Sequence, residues 1–147
     1  MTITQAKPEH LDVLTPLFDA YRMFYKQTSN LKQAKTFLKE RLSKKDAVIY
    51  IAFIDHKAVG FTQLYPTFSS VSMEQVYVLN DLYVNYKYRG NSVGQELIHA
   101  AKTFCIDNNS KGLTLQTAFN NPAQHLYERL GFIKDTDLHY FWSNNNK

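Results

Sequence analysis

The stretch from Val76 to Phe104 constrains the fold more than any other part of the chain. An apolar, β-rich segment, Val76-Tyr77-Val78-Leu79-Asn80-Asp81-Leu82-Tyr83-Val84, runs into Lys87-Tyr88-Arg89-Gly90-Asn91-Ser92-Val93-Gly94 and then into a helical pattern. A strand feeding a basic, glycine-bearing turn that opens a helix suits an anion. The first N–H groups of a helix have no intrahelical acceptor and carry the positive end of its dipole. Gly90 and Gly94 let the backbone approach a ligand closely, and Lys87 and Arg89 add charge. The same residues also read as a plain helix start: Ser92 followed by Gln95 fits a capping box, and Gly90 suits any turn. The two roles are compatible.

Spacing excludes two nucleotide loops. A P-loop needs four residues between its glycines and a Gly-Lys-Ser/Thr end, whereas here three intervene and Gln95 follows. A dinucleotide fingerprint needs Gly-x-Gly-x-x-Gly, and no Gly-x-Gly occurs near the turn. The remaining pattern, Arg89-x-x-Ser92-x-Gly94, resembles the coenzyme A loop of the GNAT superfamily of N-acetyltransferases, Arg/Gln-x-x-Gly-x-Gly/Ala. Ser92 departs from it, placing a side chain where the backbone usually meets pyrophosphate. Downstream, Asn120-x-x-Ala123-x-x-x-Tyr127-x-x-x-Gly131-Phe132 is similar to a second signature of that superfamily at every marked position.

The resemblance implies an α/β (α+β) fold. It predicts a mostly antiparallel mixed sheet of about six to seven strands flanked by about four helices, splayed between the fourth and fifth strands. It also implies one domain over residues 1–147, acetyl-CoA as acetyl donor, and homodimers as a common assembly.

Composition narrows the class. With 147 residues and 44% hydrophobic content, ten tyrosines and ten phenylalanines among them, the chain has the length and apolar material for one globular core. No apolar run approaches the roughly 20 residues of a membrane span, and the N-terminus lacks a signal-peptide pattern, so a cytoplasmic protein without a membrane partner is expected. The net charge of +4 permits polyanion binding. However, Lys26, Lys32, Lys35, Lys39, Lys44 and Lys45 cluster on or beside an early helix with no nucleic-acid motif, and a solvated face explains them better. The single cysteine, Cys105, excludes an internal disulfide and reads as a buried thiol on a helix face. His99, His125 and His139 lack metal-like spacing, and no metal is expected.

Periodicity predicts a short strand at 2–7, an amphipathic helix at about 8–27 interrupted by Pro16, and a helix at 31–43. Strands follow at 48–54 and 58–65, with 66–73 as a loop, and the aromatic stretch from Tyr65 to Met73 hints at a walled pocket. A helix at about 92–109, a strand at 112–117, a short helix at about 121–130 and terminal strand material at 132–144 complete the chain.

Amine acetylation chiefly requires control of protons. An alkylamine with pKa about 10 must lose a proton before attacking a thioester, and the leaving thiolate must gain one. The resemblance places Tyr127 where family members hold the general acid; otherwise it is a packing tyrosine. Asp81 interrupts an apolar strand, where an ionised group is costly unless paired, hydrated or used. Alternation puts it on the face of Leu79 and Tyr83. Its segment resembles that of polyamine-type acetyltransferases, where acidic groups handle the substrate ammonium; the alternative is an ion pair with a core-facing lysine or arginine. The family's strand bulge implies backbone contacts from Leu82 and Val84 to the pantetheine arm. Cofactor contacts are then expected at Arg89, Gly90, Asn91, Ser92, Val93 and Gly94, with Asn120 on the pantetheine side or capping a helix. Among the aromatics Tyr21, Tyr25, Tyr65, Phe68 and Trp142, those chosen for the substrate are Tyr25 and Tyr65, alongside Asp81. The leading function is acetyl transfer to a primary amine of a small molecule by direct attack in a ternary complex. The alternatives are a protein or peptide N-acetyltransferase and a non-catalytic acetyl-CoA-binding module.

Overall fold

The computed structural model describes residues 1–147. They form two compact units, Met1–Gln116 and Thr117–Lys147.

The first unit is built on five strands in the order β1-β2-β3-β4-β5. These are β1 (Thr2–Gln5), β2 (Val48–Ile54), β3 (Lys57–Ser69), β4 (Glu74–Val84) and β5 (Leu113–Thr114). Neighbours are antiparallel except β4 and β5, which run parallel. β2 and β3 are joined through Asp55 and His56, both at positive φ (49° and 64°), the backbone that a tight two-residue hairpin requires.

Three helices cover this sheet. Leu11, Leu14, Leu17 and Phe18 of α1 (Leu11–Phe24) and Ala34 and Leu38 of α2 (Leu31–Lys44) pack with Ile49, Ile51 and Phe61. Val93 and Leu97 of α3 (Val93–Asp107) pack with Ala52 and Val59 in a second cluster. Alternation along β2 puts Ile49 and Ile51, with Phe61 opposite Ile51, on the face away from Ala52, and Val59 is the extra residue of a bulge between the Gly60 and Ala58 pairings. Pro16 lies exposed inside an unbroken α1. Its cost of about 3 kcal/mol is offset by three buried neighbours, Leu14, Leu17 and Phe18, worth about 1.5–3 kcal/mol each.

The link between α1 and α2 hangs from one buried acid. Asp19 accepts from the Ser29 hydroxyl at 2.6 Å and the Asn30 N–H at 2.8 Å, while Arg22 donates to the Thr28 carbonyl at 3.2 Å. Burial pushes the Asp19 carboxyl up, but Ser29, Asn30 and Arg22 together outweigh it and hold the group below the usual range. Asn30 in turn caps α2, accepting from the Gln33 N–H at 3.0 Å.

Several expectations are corrected. The segment from Pro66 is not a loop: β3 runs on to Ser69, with Pro66 opposite Tyr77. Pairing with β2 ends at Leu64, so Pro66 lies where its missing N–H leaves no ladder bond unmade. The hairpin tip carries exposed Phe68, Val71 and Met73. The strand predicted at 112–117 is reduced to Leu113–Thr114. The sheet therefore has five strands where six to seven were expected.

In the second unit, α4 (Gln124–Arg129) is the one regular element, and residues 132–147 form no strand. A strand there needs a partner ladder, and this unit contains no other strand. Gly131, at φ +91°, ends α4 in a Schellman turn: Phe132 N–H bonds the Tyr127 carbonyl at 3.0 Å and Gly131 N–H that of Glu128 at 3.1 Å. The Tyr127 and Phe132 rings lie 6.0 Å apart, the apolar contact that accompanies such a turn.

Candidate active site

The site in the first unit begins with a bulge. Gln63 pairs with Asp81 and the next residue, Leu64, with Leu79, so Asn80 is the extra residue on β4. Two carbonyls displaced from the ladder are satisfied by hydroxyls. Thr62 Oγ1 donates to the Asp81 carbonyl at 2.8 Å, and the Tyr21 hydroxyl lies 3.4 Å from the Asn80 carbonyl. The bulge also resets the alternation. Cross-strand partners share a face, and Gln63 and Leu64 are consecutive, so Asp81 and Leu79 point to opposite faces. The expectation that Leu79 accompanies Asp81 is corrected; Tyr83 does, with Phe61, on the α1 side.

Asp81 is 4% exposed. Gln63 Nε2 donates to its Oδ2 at 2.6 Å and Asn80 Nδ2 to its Oδ1 at 3.0 Å. Burial pushes the carboxyl above its ordinary value, and these two amides, with the nearby Tyr21 hydroxyl, only partly reverse that. No lysine or arginine forms an ion pair with it, so the ion-pair alternative is set aside. The Tyr21 and Tyr65 hydroxyls are raised above the usual phenol range, first by burial and then by Asp81 itself. Both remain protonated donors at neutral pH.

Aromatic rings surround this carboxyl. Tyr21 meets Phe61 at 5.7 Å, Tyr25 at 5.1 Å and Tyr83 at 6.4 Å between centroids. Tyr25 is half exposed at the end of α1, and Phe24 beside it lies under the Arg89 guanidinium at 5.8 Å. Tyr65 and Pro66, with Phe37, Arg41 and Asp46, line a groove of about 450 Å³. Of the other aromatics considered, Phe68 sits on the exposed hairpin tip and Trp142 is exposed in the second unit.

Beyond Val78 no strand covers the second edge of β4, because β5 pairs only with Tyr77 and Val78. Leu82 and Val84 lie on that open length. The Val84 carbonyl is already occupied by Arg89 Nε at 3.1 Å, which ties the loop cation to the end of the strand.

After β4, Asn85 caps a short turn at Tyr86–Tyr88, and the chain enters the loop. Gly90 has φ +83° with open space around it, and Asn91 Nδ2 donates to the Tyr88 carbonyl at 3.1 Å. Ser92 is left-handed too, at φ +61° and ψ +17°, and its side chain makes no capping bond. The capping-box expectation is corrected: this backbone turns the hydroxyl away from the helix N–H groups. Left-handed geometry also explains why the resembling pattern has glycine here, since an L side chain is disfavoured in that region. The Val93 side chain is buried against β3, so only its backbone can face a ligand. A Cβ on Gly60 would lie 2.7 Å from the Tyr83 carbonyl and 3.3 Å from Val93 Cγ1, so glycine is what lets β3, β4 and the start of α3 meet.

Residues 14–132 match the acetyltransferase (GNAT) family. The chain belongs to that family. It is 48% identical to the uncharacterized N-acetyltransferase YhfO of Bacillus subtilis (strain 168) over 95% of both chains. It is also 30% identical to a probable acetyltransferase of Haemophilus influenzae, over 87% of this chain and 97% of the other. The crystal structure of a probable acetyltransferase superposes with a TM-score of 0.91 at 39% identity, covering 98% of this chain and 97% of that one. The protein is therefore an acyltransferase of the GNAT fold.

Two residues that sequence reasoning did not select now stand beside Asp81. Tyr21 was one aromatic among several, and only the tertiary fold brings its hydroxyl to the bulge. Gln63 had a readable signal: a polar residue inside an apolar strand, in the same hairpin as Asp81. Cys105 is buried as expected, and burial raises its thiol pKa, which disfavours the thiolate. No group of three His, Cys, Asp or Glu side chains is arranged to hold a metal ion. No helix is long and apolar enough to cross a membrane.

Proposed function

We propose that this chain transfers an acetyl group from acetyl-CoA to a primary amine of a small molecule, by direct attack in a ternary complex. The observation that carries the reading is Asp81, a buried carboxyl held by two amide donors and no cation, on the strand whose outer edge is open. A carboxyl raised by burial is a better base than an exposed one and still attracts an ammonium. It takes the proton of the incoming amine, while the faces of Tyr21, Tyr25 and Tyr65 offer cation–π attraction worth about 0.5–2 kcal/mol each.

The remaining roles follow the family pattern. The main chain of Leu82 and Val84 lines the arm of the acetyl donor, with an N–H polarising the thioester carbonyl. The pyrophosphate is met by Arg89, Gly90, Asn91, Ser92, Val93 and Gly94. Their fit rests on two left-handed residues and on helix N–H groups without intrahelical acceptors. Asn120 lies along the pantetheine, and Tyr127 gives a proton to the leaving thiolate. On this reading residues 1–147 are one acetyltransferase domain, acting in the cytoplasm as a monomer or a homodimer.

A peptide or protein amine is the second reading, favoured by the groove beside Tyr65, which the hairpin tip leaves uncovered. Thiol release from acetyl-CoA over a panel of small amines and N-terminal peptides separates the two. Small amines should accelerate release, and Tyr127→Phe should slow it about 10–100-fold as a lost proton donor. Binding of acetyl-CoA without acceleration by any amine would leave a binding module and sink the reading.

A further inference from the structure

Gln63 is fully buried, faces Asp81 across the hairpin, and has a polar atom left over. Its Nε2 donates to Asp81 Oδ2 at 2.6 Å, whereas its Oε1 has no hydrogen-bond partner. A buried amide oxygen without a donor is costly and rare, so the arrangement invites a second state that uses it. The chemistry of the carboxyl supplies one. Ionised, Asp81 Oδ2 can only accept, and the amide must present N–H; protonated, the same oxygen carries an O–H that needs an acceptor.

We propose that Gln63 is a positioning residue whose side-chain amide turns over with the proton on Asp81, donating through Nε2 to the carboxylate and accepting through Oε1 from the acid. The proposal rests on Asp81 as the base. In the step, the N–H bond of the substrate ammonium breaks, its electron pair stays on nitrogen, and the proton forms an O–H bond at Asp81 Oδ2. Gln63 then rotates by half a turn about Cγ–Cδ, making and breaking no covalent bond. The proton later leaves to solvent and the amide returns. A base that is 4% exposed gains from this, because little solvent reaches it to satisfy its acid form.

The other groups around Asp81 do not compete for the role. Asn80 Nδ2 holds the opposite oxygen, Oδ1, and leaves Oδ2 to Gln63. Tyr21 on α1 and Tyr65 on β3, both raised first by burial, keep their protons at neutral pH, and Tyr25 and Tyr83 reach this side through ring contacts with Tyr21. Arg41 and Asp46, which act on Tyr65, are paired with each other at 2.9 Å.

The test uses the free, isotope-labelled protein without amine. The Asp81 carboxyl ¹³C and Gln63 side-chain ¹⁵N–¹H resonances are followed across pH. Both should move with one midpoint. In Gln63→Met, which loses a stronger bond to the charged form and a weaker one to the acid, the Asp81 midpoint should rise by about one pH unit. The acid limb of kcat/KM should move with it. Gln63→Glu, close in shape, serves if the methionine variant does not fold, and its added charge should raise the midpoint as well. A Gln63 amide that ignores the Asp81 titration, or a midpoint unmoved in the variants, overturns the proposal while leaving Asp81 as base. Full turnover in Asp81→Asn would instead remove the base and the catalytic role of Gln63 together.

Discussion

The bulge on β4 and the loop after it lie on one continuous segment and solve opposite problems. At the bulge the backbone and the carboxyl are answered: the Asp81 and Asn80 carbonyls by Thr62 and Tyr21, and the Asp81 carboxyl by Gln63 and Asn80. In the loop Gly90 and Ser92 hold left-handed backbone in the open, and the Ser92 hydroxyl is used for nothing within the helix cap. A proton-transfer group gains from desolvation and fixed partners, whereas a phosphate cradle needs N–H groups that the protein leaves unspent. Substitutions in the two regions should therefore fail in different currencies.

The largest effect is expected at the bulge. Asp81→Asn should lower kcat/KM for amine acetylation by about 10²–10⁴-fold, the usual range for a lost general base. Binding of acetyl-CoA, measured by calorimetry, should barely change. Stability should respond with a definite sign. The folded-state pKa of Asp81 is raised, so the wild type loses stability as pH rises from the ordinary carboxylate value of about 3.9 through the folded value. The neutral amide does not, and the Tm of the variant relative to wild type should be higher at pH 7 than at pH 4. A variant whose Tm relative to wild type is instead higher at pH 4 than at pH 7 would mean that Asp81 is not desolvated as described.

Next comes Gly60→Ala, where the two regions touch. The new Cβ would sit 2.7 Å from the Tyr83 carbonyl, and the cost of forcing the strands and α3 apart is about 1–3 kcal/mol in urea unfolding. Acetyl-CoA affinity should fall with it, because Val93 opens the loop helix; an unaffected affinity would make the loop independent of the sheet.

Ser92→Gly should be smallest. Relief of the left-handed serine is worth about 1–2 kcal/mol, and glycine returns about 0.5–1 kcal/mol through backbone entropy, so a small net gain in Tm is expected. Acetyl-CoA affinity should fall a few-fold, since the uncommitted hydroxyl is free to donate to phosphate. A rise instead would mean that the side chain obstructs pyrophosphate.

These two regions also divide what could be read from the residues alone. The β2 limits, Val48–Ile54, follow from an unbroken β-rich run between turn residues, and both helices of the α1–α2 pair follow from apolar spacing. The position of Asp81 as an anomaly in an apolar strand was legible for the same reason. Its partners were not, because a bulge changes the face of every residue beyond it and leaves no mark in composition. Pro66 misled in the opposite sense: a local breaker signal was overruled by its place where β3 has a neighbour on one side only. Ser92 looked like a cap because residue type and spacing fit one, while φ, which decides where the hydroxyl goes, is set by the turn as a whole. The aromatic run after Phe132 carries strand propensity without a ladder, and propensity alone does not make a strand.

Asp19 bears on how this protein can diverge. By clasping Ser29 and Asn30 from within α1, it fixes both ends of the connection that carries Tyr25 and leaves Lys26 and Gln27 exposed between them. Replacements at those two positions can alter what approaches Tyr25 while the clasp, the bulge and the phosphate loop stay as they are. With Tyr25 at the acceptor as proposed, acceptor preference is free to drift by changes in a few exposed residues, with the transfer chemistry inherited unchanged.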